Sequence, residues 1–168
     1  SYENLRSNAE SIVQYLGITA EDRAITSLPM SYSYGLSVIN SHLLAGASIV
    51  VTERSVTQRE FWECFRRHEV TSLSGVPYTY QMLDRMRFFG MDLPSLRTLT
   101  QAGGRLSPEL QQKFAEHCLK KGWDFYVMYG QTEATARMSY LPPEDVLRCS
   151  GSIGRAIPGG RLSLLGDD

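Results

Sequence analysis

The chain predicts an α/β fold: a mostly parallel sheet flanked by helices, built from βαβ repeats and followed by a short β-rich C-terminal tail. Three observations predict it. Short apolar runs alternate with stretches of 10–15 residues at helical spacing. Ser48-Ile-Val-Val-Thr52 is a continuous apolar run, the type buried on both faces of a parallel sheet. After Glu133 the helical stretches stop, and Gly- and Pro-rich turns take their place.

Residues 3–16 carry Leu5, Ala9, Ile12, Val13 and Leu16 on one helical face, with Gly17 as the stop. Ala24–Met30 reads as a short strand and Tyr34–Leu44 as an apolar helix ended by Ala45-Gly46. The strand at Ser48–Thr52 follows, then a helix over Thr57–His68 anchored by Phe61, Trp62 and Phe65. Thr71–Val76 is a strand ending before Pro77. Tyr78–Phe88 is a helix with Tyr78, Met82, Leu83 and Met86 expected inward. Leu96–Gln101 is a strand running into Ala102-Gly103-Gly104. Ser107-Pro108-Glu109 opens the next helix with an N-cap, a first-turn proline and an acid at the positive dipole end. Leu110, Phe114 and Cys118 line its inner face, and Lys120, Lys121 and Gly122 close it. Phe125–Tyr129 is the fifth strand. Arg137–Leu141 and Arg161–Leu165 read as further strands with no helix between them. The chain thus divides at 1–135 and 136–168, the second part expected in a different sheet or an edge layer.

A length of 168 residues fits one ordinary domain, able to bury roughly 70% of its unfolded surface. Net charge is −1, from 17 basic and 18 acidic residues, which argues against a nucleic-acid or membrane electrostatic surface. The three cysteines, Cys64, Cys118 and Cys149, are odd in number and lack Cys-x-x-Cys spacing, so a reducing, cytoplasmic setting is expected. His42, His68 and His117 show no zinc spacing. No apolar run reaches the roughly 18 residues of a membrane span, and no signal peptide is read. The first residue is Ser1, and the expectation is a piece of a longer protein.

Four strand ends stand out: Leu28 to Gly35, Ser74-Gly75-Val76-Pro77, Gln101 to Arg105, and Tyr129-Gly130-Gln131-Thr132-Glu133. In a parallel sheet these carboxyl ends point the same way and converge on one crevice. Gly103 and Gly104 serve turn geometry as readily as the close approach of a flat ligand. Tyr32 and Tyr34 fit core packing or the wall of an apolar pocket. Thr132-Glu133 is either a solvated helix start or a pair holding a phosphate oxygen and a divalent metal. No Gly-x-Ser-x-Gly elbow, Gly-x-Gly-x-x-Gly or P-loop is present.

These segments, in this order, resemble the adenylate-forming superfamily. It comprises acyl- and aryl-CoA synthetases, nonribosomal-peptide adenylation domains and firefly-type luciferases. Tyr129-Gly-Gln-Thr-Glu133 follows that family's Tyr-Gly-x-Thr-Glu motif in full. Leu28-Pro29 through Gly35-Leu36, Gly75-Val76-Pro77, Ala102-Gly103-Gly104, and Gly151-Ser-Ile-Gly-Arg155 with Pro158-Gly159 add further matches. The resemblance spans nearly the whole chain and corresponds to the middle of the family's large N-terminal domain. The phosphate loop with its lysine would precede Ser1. The ribose motif and the C-terminal domain with its catalytic lysine would follow Asp168. Gly166-Asp167 is expected to be a hairpin tip and not that ribose motif.

The resemblance implies an ATP-dependent enzyme that joins a small carboxylic acid to AMP and then passes the acyl group to a thiol. The thiol would belong to coenzyme A or to phosphopantetheine on an acyl carrier protein. Glu133 would ligate Mg²⁺, and Thr132 would bond the α-phosphate of ATP. Tyr129, with Gly130 and Gln131, would pack on the adenine, and Gly103, Gly104 and Arg105 would form the opposite wall. Tyr32, Tyr34, Gly35, Gly75, Val76 and Pro77 would border the acyl pocket. Tyr32 stands where many acyl-CoA synthetases carry a histidine, which changes the hydrogen bonding expected there. The isolated piece is expected to be inactive. Two other readings are a non-catalytic or degenerate nucleotide-binding module and a flavodoxin-like binding domain.

Overall fold

Ser1 accepts a hydrogen bond from the Asn4 amide and so starts α1 (Tyr2–Leu16), which ends at Gly17. The computed structural model of the chain describes residues 1–165, so the expected hairpin tip at Gly166-Asp167 lies outside the described residues. The elements that follow are β1 (Arg23–Ile25), α2 (Ser33–Leu44), β2 (Ser48–Val50), α3 (Arg59–Arg67), β3 (Ser72–Gly75) and α4 (Pro77–Arg85). Then come β4 (Thr98–Gln101), α5 (Pro108–Lys121), β5 (Asp124–Tyr129), β6 (Ser139–Leu141), α6 (Pro143–Val146) and β7 (Arg155–Ala156). Ser107 caps α5 as expected, through the Leu110 amide.

The strands form one sheet in the order β2-β1-β3-β4-β5-β6-β7. β1 to β5 pair in parallel, with a helix between each strand and the next in sequence, while β6 and β7 add antiparallel at the edge. The predicted α/β class is therefore observed. The tail does not form a different sheet; it extends the edge of the same one. The reason is local: the chain reverses directly after Tyr129, and the Met138 amide bonds back to the Tyr129 carbonyl at 2.9 Å. A two-way reversal of this kind yields an antiparallel neighbour, whereas a crossover helix yields a parallel one.

Four further expectations are corrected. Arg161–Leu165 is not a strand. Its residues pair with nothing among the described residues, and Leu164 and Leu165 are exposed. The last strand is Arg155–Ala156, and a one-turn helix opened by Pro142-Pro143 precedes it. Tyr78 faces solvent, because Pro77 takes the first position of α4 and turns Thr79, Tyr80 and Leu83 inward. That helix also stops early, at Arg85, before a 3₁₀ turn at Phe88–Gly90. Leu5 is likewise exposed, and α1 instead buries Asn8, Ala9, Ile12 and Tyr15.

Alternation along each strand separates two cores. Leu73, Leu99, Phe125 and Val127 pack with Phe61, Trp62 and Phe65 of α3, Tyr80 and Leu83 of α4, and Phe114 of α5. Ala24, Tyr126 and Met128 face the other way, onto Ile12 and Tyr15 of α1 and Tyr34 and Val38 of α2. Burial of this apolar area drives the assembly, at roughly 25 cal/mol per Å² removed from water.

Candidate functional site

The parallel registers align the strand ends. Gly75 lies opposite Gln101, and Gln101 lies opposite Val127. The three loops that leave these positions are therefore neighbours. Gly103 has φ 78, a left-handed conformation that favours glycine. A Cβ there would fall 2.4 Å from the Tyr32 hydroxyl oxygen and 3.1 Å from Val76 Cγ1. One on Gly104 would fall 3.1 Å from Pro77 Cγ. The loop after β1 and the ends of β3 and β4 are thus in contact through this glycine pair. Buried Gln101 pins the same loop, donating to the Gly104 carbonyl at 2.8 Å and the Ala102 carbonyl at 3.2 Å.

The end of β5 is tighter. A Cβ on Gly130 would lie 1.5 Å from the Ala136 carbonyl oxygen, so no side chain fits. The chain turns over this contact in a 3₁₀ turn, Thr132–Ala134, with the Ala134 and Ala136 amides both donating to the Gln131 carbonyl. Thr135 and Ala136 then have φ 60 and φ 72. Such strain in residues other than glycine persists where the surroundings over-determine it, and it clusters at functional sites. Gln131 Nε2 donates to the Tyr129 hydroxyl at 3.0 Å. The Thr132 hydroxyl lies 2.9 Å from that of Ser33, at the start of α2. Glu133 is exposed and has no ion-pair partner among the described residues.

The expected site residues are not all brought together. Gly103, Gly104, Arg105, Tyr129 and Gly130 line one cleft of about 580 Å³, closed by Gly151, Ser152 and Ile153. That volume suits a small organic ligand. Thr132 faces a second, more apolar groove of about 480 Å³ between α1 and α2. Glu133 faces a third hollow, beside Asn4, Ser7 and Pro158. Tyr32, Gly75, Val76 and Pro77 pack on or beside the glycine loop. Gly35 is buried, and a Cβ on it would meet the Pro29 carbonyl at 2.2 Å. Tyr34 is buried in the core, where its hydroxyl bonds Thr100 through the carbonyl at 3.0 Å and the hydroxyl at 2.8 Å. Burial pushes its hydroxyl up to about 12, against the opposing pull of Arg137 and of Thr100 and Ser74.

Three contributors were not among the expected site residues: Ser33, which lies inside the Leu28–Gly35 strand end, Ser37 and Arg137. Ser33 meets Thr132 only because α2 returns over the sheet. Arg137 is 2% exposed, and its Nε donates to Ser37 Oγ at 3.1 Å. An arginine read as the first residue of an edge strand gives no hint of that burial.

The donor set fits a magnesium nucleotide. No group of three or more His, Cys, Asp or Glu is clustered for a metal among the described residues, so the chain offers no all-protein cage. Glu133 offers one free, exposed carboxylate, which suffices for Mg²⁺, since that ion uses one or two carboxylates and fills its shell from phosphates and water. The side-chain-free Gly103-Gly104 edge opposite Tyr129 suits a flat ring.

Similar proteins point the same way. A family model described as AMP-binding enzyme matches residues 1–168. The indoleacetate–CoA ligase of Aromatoleum aromaticum is 29% identical over 162 residues, covering 96% of this chain and 31% of that protein. The 2-succinylbenzoate–CoA ligase of Bacillus subtilis is 28% identical, covering 94% and 31%. The structure of the O-succinylbenzoate coenzyme A synthetase of Bacillus subtilis in complex with ATP and magnesium ion superposes with a TM-score of 0.79 at 27% identity. It is covered to 32% by 94% of this chain. The chain spans about a third of the length of these relatives. With the family model matched over residues 1–168 and 94% of the chain superposed on a related enzyme, this chain belongs to the AMP-binding enzyme family, the adenylate-forming superfamily.

Proposed function

We propose that this chain is the central part of the nucleotide- and acyl-binding domain of an ATP-dependent carboxylate-activating enzyme. The full enzyme joins a small carboxylic acid to AMP with release of pyrophosphate, then transfers the acyl group to the thiol of coenzyme A or of a carrier protein. The observation that carries the reading is the strained turn Tyr129–Ala136, which stands beside the Gly103-Gly104 edge at adjacent strand ends. The CoA-ligase names of the relatives and the ATP- and magnesium-bound structural neighbour support it.

Activation sets a carboxylate against a polyanion, so charge neutralisation is the central problem. ATP supplies the phosphoryl electrophile, and Mg²⁺ supplies the positive charge that offsets its phosphates. Glu133, exposed and unpaired, is assigned as the metal ligand, and the Thr132 hydroxyl as the donor to a phosphate oxygen. Ser33 orients that hydroxyl. Tyr129 forms one wall for the base, with its ring set by Gln131, and Gly103, Gly104 and Arg105 form the other. Tyr32, Gly75, Val76 and Pro77 are assigned to the acyl pocket, with Gly35 and Tyr34 behind them. Residues 1–135 carry these groups, and 136–168 lead toward the next subdomain. A cytoplasmic setting agrees with three unbonded cysteines.

The full-length protein, supplied with ATP, Mg²⁺ and a panel of carboxylic acids, is expected to release pyrophosphate with a subset of the acids. Adding coenzyme A or a loaded carrier protein then identifies the acceptor. Absence of acid-dependent pyrophosphate release across aliphatic, aromatic and amino acids refutes the reading. The isolated 168-residue chain is expected to form no acyl-AMP.

A further inference from the structure

We infer that Arg137 is a positioning residue for the nucleotide turn, an inference that rests on the reading above. Arg137 is almost wholly buried, yet no carboxylate lies within ion-pair distance of it among the described residues. A buried charge without a paired anion is costly, so such a residue needs a structural reason to be there. Its donors supply one. Nε bonds Ser37 of α2 at 3.1 Å, Nη1 bonds the Tyr15 hydroxyl of α1 at 3.3 Å, and Nη1 reaches Met128 Sδ of β5 at 3.6 Å. The guanidinium also lies 5.1 Å from the centre of the Tyr34 ring. Its own carbonyl accepts from Asn8 Nδ2 at 2.8 Å. One side chain thus ties two helices and β5, the strand that carries the motif.

The place of Arg137 in the chain gives this its meaning. It directly follows Thr135 and Ala136, the two left-handed residues that complete the turn. The turn is held on α2 at both ends: Thr132 on Ser33, and Arg137 on Ser37 one helical turn later. Removing the second hold lets the strained pair relax and moves Thr132 and Glu133. The positive charge left uncompensated behind the turn also favours an anion at its front.

The test uses the full-length protein and its Arg137→Met, Arg137→Lys and Ser37→Ala variants. Two quantities are measured: calorimetric binding of ATP with excess Mg²⁺, and amide hydrogen exchange of peptides covering 129–138 in the ligand-free protein. Arg137→Met is expected to weaken ATP binding about 10- to 100-fold, the scale of a misplacement near 1 Å. It is also expected to accelerate exchange in the turn while α3–α5 keep their protection. Arg137→Lys, which keeps the charge and loses the fork, falls between that variant and the wild type. Ser37→Ala changes both quantities in the same direction by about threefold, and it carries the test if Arg137→Met fails to fold. Folded variants with unchanged ATP affinity and unchanged turn exchange overturn the inference. So does an equal loss of protection across both faces of the sheet, which marks a merely structural arginine. Wild-type protein that binds no ATP refutes the nucleotide reading and this inference with it. ATP binding by the wild type together with unaffected variants refutes this inference alone.

Discussion

The two faces of the sheet are packed on different terms. On the face covered by α3, α4 and α5, Phe61, Trp62, Phe65, Phe88, Phe114 and Phe125 interlock, and the Tyr80 hydroxyl and Gln111 Nε2 buried there find no hydrogen-bond partner among the described residues. On the face covered by α1 and α2, buried polar groups are bonded in chains: Tyr34 to Thr100 to Ser74, Arg137 to Ser37 and Tyr15, and His42 to Ser72. Apolar packing is tolerant of exchange, provided that volume is kept. Polar networks are costly when incomplete and fix a single arrangement when complete. The polar face lies directly behind the Thr132–Glu133 turn. The difference shows where the molecule obtains stability and where it holds a geometry.

The largest expected effect lies on the apolar face. Phe114→Ala removes a side chain that is 0% exposed and that contacts Tyr80 and Phe89 at ring separations of 4.8 Å. It is expected to lower unfolding free energy by about 3–5 kcal/mol in denaturant titration of the full-length protein. ATP affinity in the folded fraction should be unchanged. A large loss of affinity would break the division between the faces.

Alkaline pH comes next. Tyr34 ordinarily ionises near 10.0 and is pushed up to about 12 by burial. Its neutral form is retained in the folded chain while the unfolded chain ionises. Its share of stability is therefore complete below pH 10 and is lost as pH rises toward 12. The loss is roughly 2–3 kcal/mol over that window. Tyr34→Phe should flatten the pH dependence of melting in that range, and an unaltered slope would count against it.

The smallest effects sharpen the contrast most. Tyr80 sits in the aromatic core, and its hydroxyl has no hydrogen-bond partner among the described residues. Tyr80→Phe should be neutral or stabilising by about 1 kcal/mol, since it removes an unpaired buried group. Tyr34→Phe should cost about 1–2 kcal/mol near neutral pH, since it breaks a network. Equal melting temperatures for the two variants would erase the distinction drawn here.

The sequence made part of this legible. Ser107-Pro108 and Gly122 bounded α5 correctly, because capping is a local matter of side chain and backbone. The strand ends at Gln101 and Tyr129 were readable, and that at Gly75 to within one residue, because glycine, proline and an apolar run mark them in series. The phase of α4 was not. Pro77 sets the helix start one residue earlier and moves the burial from Tyr78 to Tyr80. The strand expected at Arg161–Leu165 was read from a short segment after Gly- and Pro-rich turns, and such a segment does not supply its own partner strand. Ser33, Ser37 and Arg137 were hidden for a related reason. Each acts through a contact made only when distant segments meet, and local pattern does not reveal such a contact.

The central claim is that the Tyr129–Ala136 turn presents Glu133 to a magnesium nucleotide. The most direct measurement is ATP–pyrophosphate exchange by full-length Glu133→Gln, made beside its unfolding curve. Glu133 is exposed and forms no ion pair among the described residues, so stability should match wild type within about 0.5 kcal/mol. Exchange should fall by about 10²–10³, the usual cost of losing one preorganised charge-stabilising group. Exchange near the wild-type rate in the folded variant would contradict the account.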